Sequence, residues 1–108
     1  MKHLSVVLLA VVSLSAGQGR QTFTGTITDD MCAGVGHAQM QMGPTDAECT
    51  WACVIAHGAS YVLEEGKTIY MLSDQTMPET FAGQKVTIVG TLDARTKTIQ
   101  VESIEATE

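Results

Sequence analysis

Gln21–Asp29 reads QTFTGTITD, and its alternation decides the class of fold. Phe23, Gly25 and Ile27 fall on one face, with Thr22, Thr24, Thr26 and Thr28 on the other. That period of two is what a half-buried strand requires. A glycine in mid-strand marks a bulge or a sharp coil, of the kind a small barrel needs. Residues 85–92 (KVTIVGTL) repeat the pattern, with Val86, Ile88, Gly90 and Leu92 sharing a face. Residues 61–64 and 68–72 flank Glu65-Gly66-Lys67 as a hairpin, Gly66 being free to take positive φ. Residues 97–104 (KTIQVESI) close the series with Ile99 and Val101 inward, and one helical turn is expected at 78–82 in the connector. Five short strands and two mid-strand glycines predict a mainly β domain, a small five-stranded antiparallel OB-like barrel or coiled sheet.

Between the first two strands lies a segment of different character. Residues 30–43 show no consistent period, and Gly34, Gly36 and Gly43 make them a specially turned loop. Thr45 followed three residues later by Glu48 is a capping box, so a helix should run over 46–57 and stop at Gly58. An OB helix ordinarily falls between strands three and four. Residues 30–58 are therefore read as an insertion into a single domain spanning 21–105, with a polar tail that frays from Glu105 onward.

The N-terminus reads as a signal peptide over residues 1–17. Lys2 and His3 precede an apolar run at 4–14 (LSVVLLAVVSL), followed by the small residues Ser15, Ala16 and Gly17. Export to a secreted or periplasmic location is the expectation, with no membrane association once that segment is removed. Six Lys and Arg stand against twelve Asp and Glu, and Lys2 leaves with the signal. Phosphate backbones need clustered cations, so nucleic acid is excluded as a partner.

All three cysteines, Cys32, Cys49 and Cys53, lie within 32–57. An odd number in an exported chain leaves at least one thiol outside any internal disulfide. Cys49 and Cys53 are spaced i, i+4, which sets both sulfurs on one helix face and suits two thiolates on one soft ion. Cys32, His37, Cys49 and Cys53 make a Cys3His set appropriate to Zn(II), while Met40 or Met42 in place of one donor shifts the preference to Cu(I). His57 lies about 12 Å along the helix axis from Cys49 and is a poor fourth ligand. Trp51, Val54 and Ile55 are expected to bury the helix against the sheet. The adjacent acids Asp29 and Asp30 are expected to face water.

GTITDDMCAGVGH, AECTWACVIAHGASYVLEEGKTIYMLSDQ and AGQKVTIVGTLDARTKTIQVESI together resemble a family of small exported bacterial proteins with a domain of unknown function. The resemblance spans residues 25–104 and implies a β-rich, OB-like domain with a Cys-x(3)-Cys segment, in which Cys32, His37, Cys49 and Cys53 are the positions of interest. It implies no activity. Three functions follow from the residues. The first is a non-enzymatic domain holding Cu(I) or Zn(II). The second is a structural or protein-interaction module with a disulfide staple and a disulfide-linked dimer. The third is a thiol redox protein using Cys49 with Cys53 or Cys32.

Overall fold

The computed structural model describes residues 19–107, so the expected signal peptide lies outside the described residues. Five strands, β1 (Gln21–Asp29), β2 (Tyr61–Glu65), β3 (Thr68–Leu72), β4 (Lys85–Asp93) and β5 (Thr98–Ala106), join in the order β1-β2-β3-β5-β4, and β4 pairs back onto β1. Two helices, α1 (His37–Met40) and α2 (Asp46–His57), occupy the insertion between β1 and β2. The connector between β3 and β4 forms a single 3-10 turn, Met77–Phe81.

The mainly β, OB-like reading holds, with one correction to the pairing. Four contacts are antiparallel, but β3 and β5 run parallel through Met71↔Thr98 and Leu72↔Ile99. The reason is parity: a ring with an odd number of strands cannot alternate direction at every contact.

The inward faces follow the alternation read from sequence. Phe23, Ile27, Leu63, Leu72, Val86, Ile88 and Ile99 are buried in one core, with Trp51 and Val54 of α2 packed against it. β1 pairs with β4 through Thr26 and with β2 from Thr26 onward, so the coil forecast at Gly25 is where the strand passes between neighbours. The bulge falls elsewhere: the β4/β5 register shifts between Val89 and Gly90. β5 extends to Ala106, past the expected start of the tail. Glu105 and Ala106 pair with Thr87 and Val86 because β4 begins early enough to cover them.

Candidate metal centre

Three elements bring the cysteines together. β1 ends in Asp29, whose Oδ2 accepts from the backbone N–H of Met31 (3.0 Å) and of Cys32 (3.1 Å). Its carbonyl accepts from the N–H of Ala33 (2.9 Å), so the chain turns sharply and carries Cys32 back over the strand end. Below it, α2 starts where the capping box places it. Thr45 Oγ1 accepts from Glu48 N–H at 3.1 Å, and the Thr45 hydroxyl donates to the Glu48 carboxylate at 3.1 Å. Gly58 ends the helix in the left-handed region. The i, i+4 spacing then points Cys49 and Cys53 at the same face, and α2 lays that face on β1.

Cys32 sits between the other two. Its Sγ lies 3.7 Å from Cys49 Sγ and 3.9 Å from Cys53 Sγ, and the three residues are 2 %, 1 % and 0 % exposed. An S–S bond is about 2.05 Å long, so all three are free thiols. Two thiolates on one tetrahedral ion at bonds near 2.3 Å stand about 3.8 Å apart. Both separations lie close to that edge. Met40, Met42 and Ala59 pack against the trio as a partly buried apolar cover.

Two further side chains complete the surroundings. His37 opens α1, and its Nε2 lies 3.2 Å from Thr28 Oγ1. Its Nδ1 is buried with no hydrogen-bond partner. Asp29 is 0 % exposed, and its Oδ1 is likewise buried and unpartnered. Leaving such an atom unsatisfied costs about 1–3 kcal/mol. The donor atoms of Cys32, His37 and Cys49 lie within 4.8 Å of one another, as do those of Asp29, Cys32 and Cys53. Cys32 belongs to both groups, each close enough to hold a metal ion.

Cys32 and Cys53 sit in an environment that favours their protonated form. Burial pushes the Cys32 thiol far up from its ordinary value, and the neighbouring Asp29 carboxyl and Cys49 thiol reinforce the rise. Burial is also the largest cause of the rise at Cys53. A cation entering here must displace protons, and its charge supplies the drive to do so.

Of the residues singled out from sequence, Cys32, His37, Cys49 and Cys53 are thus gathered, Met40 and Met42 line them, and His57 is exposed at the far end of α2. Two expectations fail. Asp29 does not face water. It shares the odd-numbered register of Phe23, Gly25 and Ile27, and the insertion seals the strand end over it. Only Asp30 is exposed, where its Oδ1 accepts from Ser60 N–H. Ile55 is 80 % exposed, because the buried stripe of α2 runs through Cys49, Thr50 and Cys53 and leaves position 55 on the outer side. The signal for Asp29 was its register, outweighed by the acid beside it. No protein family model, curated protein or solved structure gave a significant match to this chain.

Proposed function

We propose that this protein is an exported, non-enzymatic domain that binds a thiophilic metal ion, Cu(I) or Zn(II). Cys32, Cys49 and Cys53 are the thiolate ligands and His37 the nitrogen ligand. The observation that carries the reading is the convergence of buried thiols from positions 17 and 21 residues apart, at separations of 3.7 and 3.9 Å, beside a buried imidazole nitrogen with nothing else to bond. If Nδ1 takes the ion, Nε2–H donates to Thr28 Oγ1, and that outer hydrogen bond fixes the ring and its tautomer. Met40 and Met42 exclude water, with a thioether available to Cu(I). Burial of the thiols supports a binding role over a catalytic one, since a substrate has no direct approach to them. Export rests on the basic and apolar N-terminal residues.

Native mass spectrometry of protein refolded under reducing conditions with Zn(II) or Cu(I) tests the reading. A mass increase of one or more bound ions is expected, with the three thiols protected from alkylation. An unchanged mass with all thiols alkylated in the unperturbed fold sinks it.

A second reading rests on the central position of Cys32, within reach of either helix thiol. In an oxidising compartment Cys32 bridges Cys49 or Cys53 and staples α2 to the end of β1, contributing about 3 kcal/mol for loops of this length. Peptide mapping of unreduced, natively exported protein distinguishes the two readings, since a Cys32 crosslink in most molecules replaces the metal. Burial of all three thiols weighs against the disulfide-linked dimer.

A further inference from the structure

We infer that Asp29 is an oxygen ligand of the same centre and tilts it toward a divalent ion, Zn(II), over Cu(I); this rests on the metal-binding reading above. Four observations converge on it. Asp29 is fully buried, which an acid rarely is without a partner. Its Oδ2 is fixed by two backbone N–H groups, so the carboxyl plane is set in advance. Its Oδ1 is the atom left unpartnered. That residue also forms, with Cys32 and Cys53, a donor group no wider than 4.8 Å.

The chemistry of the donor set then bears on the metal. Zn(II) accepts sulfur, nitrogen and carboxylate oxygen in one tetrahedron. Cu(I) is soft, prefers thiolate and thioether, and gains little from a carboxylate. Charge points the same way. Two thiolates and a carboxylate around a monovalent ion leave one more uncompensated negative charge in a dry site than around a divalent one, and buried uncompensated charge is costly. In the zinc form Asp29 thus replaces one of the four ligands assigned above, with Cys32, Cys53 and either Cys49 or His37 as the other three.

Asp29→Asn is the informative variant, because the asparagine carbonyl can still accept the two backbone N–H bonds that shape the turn. Affinities of the wild-type protein and D29N for Zn(II) and for Cu(I) are measured by competition with chromophoric chelators under anaerobic, reducing conditions. Zinc affinity is expected to fall at least about 10–100-fold, the loss typical of removing a supporting partner, while Cu(I) affinity stays within about two-fold. Wild-type binding of either ion with D29N unchanged, or weakened equally for both, overturns the role of Asp29 and leaves the metal centre standing. Failure of the wild-type protein to bind either ion removes the metal centre itself, and this inference with it. Should D29N not fold by circular dichroism, X-ray absorption of the wild-type zinc form decides instead. An oxygen bound to the metal in addition to sulfur, beyond whatever light-atom ligand the imidazole outer shell accounts for, is expected, and a shell of sulfur and imidazole alone overturns the assignment.

Discussion

Gly25 and Gly90 stand where neighbouring strands pass so closely that no side chain fits. A Cβ on Gly25 would meet the Glu64 carbonyl oxygen at 2.5 Å and the Leu63 side chain at 3.1 Å. One on Gly90 would run into the Gln100 carbonyl oxygen and meet Ile99 Cγ2 at 2.8 Å. The obstructing atoms are mostly ladder backbone, which cannot yield as a flexible side chain would. Gly25→Ala is therefore expected to destabilise the fold by about 1–3 kcal/mol, the usual cost of overpacking. Urea denaturation checks this, the midpoint falling with the slope unchanged; an unaltered midpoint contradicts the close crossing. The glycines were legible in the sequence as interruptions of alternation, although not the atoms they make room for. Asp29 was half legible. Its odd-numbered position placed it inward, but whether a strand end is covered depends on the path of a loop with no periodic pattern.

At the scale of elements, α2 is held to the β domain by Trp51, which packs on the core while its Nε1–H donates to the Glu79 carbonyl at 2.9 Å. That bond ties the insertion to the 3-10 turn before β4, a link between parts of the chain 28 residues apart. Trp51→Phe keeps most of the buried ring and drops the hydrogen bond. A loss of about 0.5–1.5 kcal/mol is expected. In a domain of this size each kcal/mol lowers the melting temperature by about 4–8 °C. Because Trp51 contributes no donor to the cysteine cluster, metal stoichiometry should not change; a variant with normal melting but lost metal would show that the helix is anchored otherwise. The limits of α2 were readable because capping chemistry is local: Thr45, Glu48 and Gly58 act within a turn of themselves. α1 was not readable. Its Gly36 N-cap offers no side chain, its four residues carry no apolar stripe, and its place comes from packing against α2. Ile55 misled for a related reason. The stripe that α2 buries is made of cysteines and threonine, so an isoleucine on the helix does not mark the inner face.

Taken whole, the molecule holds several acids in their neutral form. Burial raises the Cys32 and Cys53 thiols and is the largest cause of the rise at Tyr61, with Glu79 and Asp29 adding to it. In the unfolded chain these groups lose their protons near the ordinary values of 9.0 for the thiols and 10.0 for the phenol. Between those values and the raised ones the folded state binds more protons than the unfolded state, so stability must fall as pH rises. Below the ordinary thiol value their contribution is complete. Each proton so retained is worth up to about 1.4 kcal/mol per pH unit. Metal cancels the thiol part of this dependence above the ordinary thiol value and reverses it below. A bound ion has already displaced the thiol protons, and raising the pH removes its competitor at the same sulfurs. At a free concentration 100 times its dissociation constant, an ion bound only by the folded state adds about 2.7 kcal/mol. Thermal melts of the reduced protein at a series of pH values, with chelator and with Zn(II), check both signs. With chelator the melting temperature should fall above about pH 9, where thiols in an unfolded chain ionise. With zinc it should lie higher and decline less over the same range, the raised Tyr61 phenol still contributing. Parallel curves, one merely displaced from the other, would mean that the ion sits away from Cys32 and Cys53.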